Sequence, residues 1–72
     1  MKKTYKLKDL DCAACGAKME RAIRKLDGVQ DATVNFIAQK LTITADEERI
    51  DELAEKAAAV CRKIEPNCRL ER

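Results

Sequence analysis

Histidine and tryptophan are absent from this 72-residue sequence, which also contains only two glycines and one proline. Histidine is the commonest metal ligand in proteins and the usual general base. Any metal site here must therefore be built from thiolates, carboxylates or backbone groups. The only aromatic residues are Tyr5 and Phe36, so we expect a hydrophobic core that is aliphatic and rich in alanine.

Long apolar segments are missing as well. The apolar runs are a few residues long, too short for a transmembrane helix, and no apolar stretch follows the basic start as a secretory signal requires. The net charge is only +2, which argues against nucleic acid as a partner. The length allows one hydrophobic core. We therefore expect a single cytoplasmic domain over residues 1–72, monomeric when isolated.

Four cysteines are the residues with distinctive chemistry. In a secreted chain of this size they would predict a disulfide framework. Because no signal segment is recognised, a reducing compartment is expected instead. There, cysteines indicate metal binding or redox chemistry.

Hydrophobic periodicity divides the chain into four strands and two helices. Alternation of apolar and polar residues predicts the strands, with Ala32, Val34 and Phe36 sharing one face of the second. Helical spacing predicts the helices, the second of them capped by Thr44 or Asp46. In chain order the predicted elements are strand 4–8, helix 14–26, strand 29–36, strand 40–44, helix 46–63 and strand 68–71.

The order of these elements predicts an α+β fold. A βαββαβ chain with one apolar face per strand and one apolar stripe per helix favours a ferredoxin-like sandwich. We expect a four-stranded antiparallel sheet of order 4-1-3-2 with both helices on one face. In that order the last strand pairs with the first, which places residues 11–15 near Cys68.

Cys12 and Cys15 form a CxxC motif where the first helix should begin. Both sulfurs can then lie on one side of a loop-to-helix turn, as a metal clamp or a redox dithiol. Cys15 should fall in the first helical turn, where free N–H groups and the helix dipole favour a thiolate. Half of a closed zinc site, a disulfide and a chance occurrence are the alternatives. A closed zinc site is disfavoured because Cys61 and Cys68 lack the close spacing of a second pair.

Residues 7–43 carry a recognisable pattern, LKDLDCAACGAKMERAIRKLDGVQDATVNFIAQKLTI. It resembles the heavy-metal-associated domain of copper chaperones and of the cytosolic N-termini of metal-pumping P-type ATPases. The resemblance implies the same βαββαβ fold, with Cys12 and Cys15 as metal ligands. Leu10 stands where the family commonly has a methionine that anchors the loop. Asp9 replaces the glycine that the family has just before that anchor.

Asp11 bears on the choice of metal. Copper-type members commonly have threonine before the first cysteine, whereas aspartate resembles the zinc, cadmium and lead exporters. A hard carboxylate suits soft, two-coordinate Cu(I) poorly, but it brings a divalent ion bound by two thiolates closer to its preferred coordination. Asp11 therefore favours Zn(II), Cd(II) or Pb(II), one per chain, over Cu(I). The alternative is that Asp11 only caps the first helix.

Three other sulfur-bearing residues have two interpretations each. Cys68 is either a third thiolate ligand or a small buried residue opposite Leu7 or Leu10. Cys61 is expected to pack in or beside the core, without a disulfide to Cys68. Met19, on the apolar stripe of the first helix, is expected to be a core residue rather than a ligand.

The function predicted from these residues is binding and transfer of Zn(II), Cd(II) or Pb(II) by Cys12, Cys15 and Asp11. By resemblance the domain belongs at the cytosolic N-terminus of a metal-exporting P-type ATPase, so its partners are the other domains of that pump or a metal-exchange protein. These residues alone are not an enzyme. The alternatives are a free-standing metallochaperone for Cu(I) or a divalent ion, and a dithiol oxidoreductase with a reactive Cys12 of depressed pKa.

Overall fold

The structure, a computed structural model, describes residues 1–71. Its elements follow the predicted order, and both helices lie on one face of the sheet. The elements are β1 (Lys2–Lys8), α1 (Ala13–Arg24), β2 (Val29–Asn35), β3 (Lys40–Ala45), α2 (Ile50–Ile64) and β4 (Arg69–Glu71). None of the helices among the described residues has the length and apolar character needed to cross a membrane.

The sheet has the order β2-β3-β1-β4, which is the predicted order 4-1-3-2 read from the other edge. All three strand pairs are antiparallel. Within the pair of β1 and β3, Thr4 lies opposite Thr42 and their hydroxyl oxygens are 3.1 Å apart on the exposed face. Leu7 lies opposite Leu70 in the pair of β1 and β4. The ferredoxin-like fold predicted from periodicity is confirmed.

The core lies between the inner face of the sheet and the two helices. Its buried side chains are aliphatic apart from one aromatic ring, that of Tyr5. The core is therefore built mainly from non-aromatic side chains, as the low aromatic content predicts. The buried apolar residues include Leu41 and Ile43 from β3, Met19 and Ile23 from α1, and Leu53, Ala54, Ala57 and Cys61 from α2.

The second predicted strand is one residue too long, because β2 ends at Asn35. The side-chain oxygen of Asn35 accepts a hydrogen bond of 2.9 Å from the N–H of Ala38, which starts a turn. Phe36 is therefore placed in the turn with 37% of its surface exposed, and Ile37 next to it is 93% exposed. The prediction that Phe36 shares the buried face of the strand is wrong.

The start of the second helix also differs from the prediction. Helix α2 begins at Ile50, and its N-cap is Arg49, whose side chain makes no capping hydrogen bond. Neither Thr44 nor Asp46 caps the helix. Instead the carbonyl of Asp46 accepts a hydrogen bond of 2.9 Å from the N–H of Arg49, so residues 46–49 form a turn before the first buried side chain of the helix.

Candidate metal centre

Residues 9–15, called the dithiol loop below, connect β1 to the first turn of α1. The backbone leaves β1 through Asp9, whose φ of 61° lies in the left-handed region. That region suits glycine, and aspartate tolerates it better than most residues, which explains how Asp9 can replace the family's glycine. Leu10 follows with 2% of its surface exposed, so the predicted loop anchor is confirmed as buried.

Cys12 is the N-cap of α1. Its backbone is extended, with φ −127° and ψ 115°, and its Sγ accepts a hydrogen bond of 3.2 Å from the N–H of Cys15. A thiol sulfur thus takes the place usually filled by a serine, threonine or aspartate oxygen. The alternative interpretation of Asp11 as the helix cap is therefore wrong. The hydrogen bond also fixes Cys12 and Cys15 next to each other.

The two thiols differ in acidity, and in the opposite sense to the prediction for Cys15. Hydrogen bonds from the Cys15 side chain and N–H, and from the N–H of Ala14, lower the pKa of Cys12. The pKa of Cys15 is raised, first by its hydrogen bond to Cys12 and then by burial. The free N–H groups of the helix start point at the sulfur that precedes the helix, so Cys12 is the first of the two to ionise.

Two charged residues act on this pair from neighbouring elements. The Glu65 carboxylate, just after α2, opposes ionisation of both thiols; it partly offsets the lowering of the Cys12 pKa and adds to the raising of the Cys15 pKa. Lys18, one turn into α1, favours the Cys15 thiolate and partly offsets the rise in its pKa. Cys12 and Cys15 are themselves only partly buried, so a metal ion or a partner protein can reach them.

Asp11, the residue before Cys12, is exposed. It lines an open depression of about 550 Å³ together with residues from the end of β1 and from the turn between α2 and β4, among them Asn67. Within residues 1–71 the structure contains no preformed group of three or more cysteine and carboxylate side chains able to hold a metal ion. It therefore brings Cys12 and Cys15 together but does not assemble Asp11 with them, and the role of Asp11 as a ligand stays a prediction.

Cys68 lies at the same end of the molecule as the dithiol loop, as the sheet order predicts. Burial raises the pKa of its thiol, and the charges of Glu65, Asp9 and Asp11 raise it further. The side chain is fully buried. Burial supports packing for Cys68, and its alternative role as a third ligand stays a prediction.

Cys61 and Met19 are both completely buried, so their predicted packing roles are confirmed. Burial, and to a smaller extent the nearby Cys68, raises the pKa of Cys61 to about 12. Such a thiol stays protonated at neutral pH, which makes it a poor metal ligand. Cys61 and Cys68 are both free thiols in this structure.

Gln39 is a residue that the sequence analysis did not connect with the site. It lies in the turn between β2 and β3 with a φ of 55°. Its side chain accepts a hydrogen bond of 3.0 Å from the N–H of Leu10 and donates one of 2.8 Å to the carbonyl of the same residue. No pattern in the sequence indicates a contact across 29 residues between a turn glutamine and a loop backbone.

A ferredoxin-like domain with a partly exposed CxxC pair at the start of its first helix belongs to the class of small thiol-bearing domains that bind metals or exchange disulfides. Comparison with known families then identifies the family of the chain. The family model of the heavy-metal-associated domain matches residues 4–66, most of the chain. The chain belongs to the heavy-metal-associated domain family.

Two relatives illustrate the similarity in sequence. The chain is 31% identical over 67 residues, 93% of its length, to the cadmium, zinc and cobalt-transporting ATPase of Bacillus subtilis (strain 168). It is 42% identical over 45 residues, 62% of its length, to the zinc/cadmium/lead-transporting P-type ATPase of Escherichia coli (strain K12). The chain spans only 10% and 6% of the length of these two relatives.

Solved structures share the fold. The structure of the CopZ metallochaperone matches 97% of this chain and 98% of its own, with a TM-score of 0.75 and 16% identity. At that identity the likeness concerns the fold alone. It shows that the two chains share the arrangement of β1–β4, α1 and α2.

Proposed function

We propose that this domain binds one Zn(II), Cd(II) or Pb(II) ion through Cys12 and Cys15, with Asp11 as a further ligand, and passes the ion to a partner by ligand exchange. The observation that carries the proposal is the Cys12–Cys15 pair, hydrogen-bonded at a helix start and partly exposed. The names of the similar ATPases, which include zinc, cadmium and lead, support a divalent ion.

Transfer by ligand exchange follows from the acidity and exposure of the two thiols. Cys12 has the lower pKa and offers the first thiolate to an incoming ion. Binding then displaces the proton of Cys15, since a coordinating thiol is deprotonated. The neighbouring Ala13 and Ala14 are exposed and small, so the ligands of a partner protein can approach the bound ion and replace these sulfurs one at a time.

Asp11 accounts for the preference among metals in this proposal. A divalent ion bound by two thiolates forms a neutral complex, and it has fewer than its usual four ligands. The Asp11 carboxylate precedes Cys12 and is exposed, and in this proposal it turns toward the bound ion. The same carboxylate adds negative charge and an unsuitable hard donor to a Cu(I) dithiolate, which lowers the relative affinity for copper.

We further propose that residues 1–72 act as one domain at the cytosolic N-terminus of a metal-exporting P-type ATPase. Its partners would be the transport site and the other cytosolic domains of that pump, and this domain itself would not hydrolyse ATP. The resemblance to pump N-termini and the similarity to transporting ATPases over 93% of the chain support this placement. In a free-standing metallochaperone, the alternative, the natural gene would encode no membrane-spanning segments after residue 72.

A dithiol oxidoreductase is the second candidate, and one observation favours it. Such an enzyme requires an attacking cysteine of depressed pKa, and the pKa of Cys12 is lowered. A turnover assay with a disulfide substrate and excess reductant distinguishes the two functions. A metal carrier is expected to give no turnover beyond the reductant alone, whereas an oxidoreductase gives turnover that disappears in Cys12→Ala.

The test of the metal-binding proposal is the number of Cd²⁺ ions bound per chain under reducing conditions. The unaltered chain is expected to bind one ion, and Cys12→Ala and Cys15→Ala are each expected to lose affinity. Cys61→Ala is the matched control, because it removes one thiol that lies in the core. Unchanged stoichiometry in the double variant of Cys12 and Cys15 would refute the site.

A further inference from the structure

The contact between the β2–β3 turn and the dithiol loop is made by one glutamine side chain. The Gln39 amide accepts from the N–H of Leu10 at 3.0 Å, and its Nε2 donates to the carbonyls of Leu10 and Phe36, both at 2.8 Å. The backbone carbonyl of Gln39 also accepts from the N–H of Leu7 at 2.7 Å. Gln39 thus holds the end of β1 with its backbone and the start of the loop with its side chain.

Leu10 depends on this contact because its backbone lies beyond the end of β1 at Lys8. A backbone N–H and C=O in a partly buried position must find partners, and their loss is costly. The amide of Gln39 supplies an acceptor and a donor at once, on two different atoms. A carboxylate in the same place has no donor, and a hydroxyl has a single oxygen for both tasks. The leucine side chain is buried at the same time, with 2% exposed. Leu10 is therefore fixed by both its backbone and its side chain.

The backbone conformation at both ends of the contact supports a specific role. Asp9 and Gln39 are the two non-glycine residues of positive φ in the described chain, at 61° and 55°. This conformation is unfavourable for a residue with a Cβ atom, and more so for glutamine than for aspartate. The hydrogen bonds between the two turns offset that cost. Leu10, which they hold, lies two residues before Cys12, the thiol at the helix start.

We propose that Gln39 is a positioning residue for metal binding: its side-chain amide clamps Leu10 and thereby holds Cys12 in the extended N-cap conformation that presents its sulfur. This inference rests on the proposed function of Cys12 and Cys15. Without the clamp the loop still belongs to a folded domain, but Cys12 is held less firmly and a bound ion is released faster.

Two variants separate the side chain from the backbone of Gln39. Gln39→Gly removes the amide and relieves the unfavourable φ. Gln39→Glu keeps the size and the acceptor but loses both donated bonds and places a negative charge beside two carbonyls. Gln30→Ala is the matched control, because Gln30 is the other glutamine of the chain and its amide contacts exposed Asp46, at 3.5 Å.

Amide hydrogen exchange tests the clamp without any metal. In Gln39→Gly, which removes the acceptor, the N–H of Leu10 is expected to exchange about tenfold faster, as expected for the loss of one hydrogen bond. The N–H of Leu7 is an internal reference, since it donates to the backbone carbonyl of residue 39 and should keep its protection. Equal protection of Leu10 in the unaltered chain and in Gln39→Gly would overturn the proposal.

The rate at which a chelator removes Cd²⁺ tests the positioning role. We expect several-fold faster removal from Gln39→Gly and Gln39→Glu, and an unchanged rate for Gln30→Ala. Loss of Leu10 protection with an unchanged removal rate would overturn the positioning role. Should the unaltered chain bind no Cd²⁺ through Cys12 and Cys15, the proposed function fails, and the positioning role fails with it, whereas the exchange data still show whether the clamp exists.

Discussion

Asp11 is the residue on which the expected choice of metal depends. It is exposed, immediately precedes Cys12, the N-cap residue of α1, and does not itself cap that helix. A carboxylate left free in this position is available to an ion bound by the two thiols. The proposed site therefore combines a sulfur pair held at the helix start with an exposed oxygen ligand, an arrangement suited to taking up and releasing a divalent ion.

Replacement of Asp11 by alanine is expected to weaken Zn²⁺ binding relative to Cu(I). The expected change is at least about tenfold, the loss typical when even an outer partner of a metal ligand is removed. A competition titration with both metals measures the ratio. Asp9→Asn is the control, because it removes a nearby negative charge while asparagine tolerates the positive φ of that position. An equal shift in both variants would mean that charge alone, and not ligation, is responsible.

Cys61 provides a prediction about stability at alkaline pH. Burial raises the pKa of its thiol from the ordinary 9.0 to about 12. Above pH 9 the unfolded chain releases this proton while the folded chain keeps it, so the unfolded state binds fewer protons and stability falls as pH rises. The contribution is complete below the unfolded pKa and is lost as the pH approaches 12.

The variant Cys61→Ala isolates this effect. The free energy of unfolding of the unaltered chain minus that of the variant is expected to decrease steadily above pH 9, because alanine has no proton to lose. Urea unfolding at several pH values under reducing conditions measures the difference. A difference that stays constant across this range would show that the Cys61 thiol ionises as easily in the folded chain as in the unfolded one.

At the scale of the elements, the strands and helices could be predicted because their periodicities are clear. Leu41 and Ile43 alternate with polar residues, and Met19 and Ile23 repeat at helical spacing, and all four are buried. The ends of elements were predicted less well. Asn35 stops β2 through its own side chain, a local competition that hydrophobic periodicity does not report.

The dithiol loop also has features that the sequence pattern does not predict. The CxxC spacing identified both cysteines, but it could not show that Cys12 itself caps the helix and so becomes the more acidic thiol. The contact between Leu10 of this loop and Gln39 could not be predicted either, because a side-chain amide there joins two turns that are distant in sequence. Both features depend on three-dimensional geometry rather than on residue type.

The turn between α1 and β2 gives a prediction for Gly28. Its φ of 98° is unfavourable for any residue with a Cβ atom, and a Cβ there would lie 2.5 Å from Nη1 of Arg49. Gly28→Ala is expected to destabilise the domain by about 1–2 kcal/mol, chiefly through the backbone. The arginine tip is flexible and can move aside.

A double-mutant cycle with Arg49→Ala checks the origin of that loss. Because the strain is in the backbone, Gly28→Ala should cost about the same free energy of unfolding with or without the arginine side chain. If Arg49→Ala abolishes the cost, the clash and not the φ angle is the cause. Cd²⁺ binding should be unaffected in all three variants, since the dithiol loop follows β1 whereas Gly28 lies between α1 and β2.

At the scale of the whole molecule, the sheet order determines which turns meet. The order β2-β3-β1-β4 brings the dithiol loop beside the β2–β3 turn, which carries Gln39, and beside the turn after α2, which carries Glu65. Two segments far from it in sequence thus lie near the loop that carries Cys12 and Cys15. The fold thus supports a proposed site whose metal ligands all come from one loop.

The most direct test of this account is the ¹¹³Cd NMR spectrum of the cadmium-loaded chain, because the chemical shift reports how many sulfur atoms bind the ion. We predict one signal at a shift typical of two sulfur ligands with oxygen ligands, unchanged in Cys68→Ala and lost when Cys12 and Cys15 are both replaced. A shift typical of three or four sulfurs, or a bound signal that survives the loss of Cys12 and Cys15, would contradict the account.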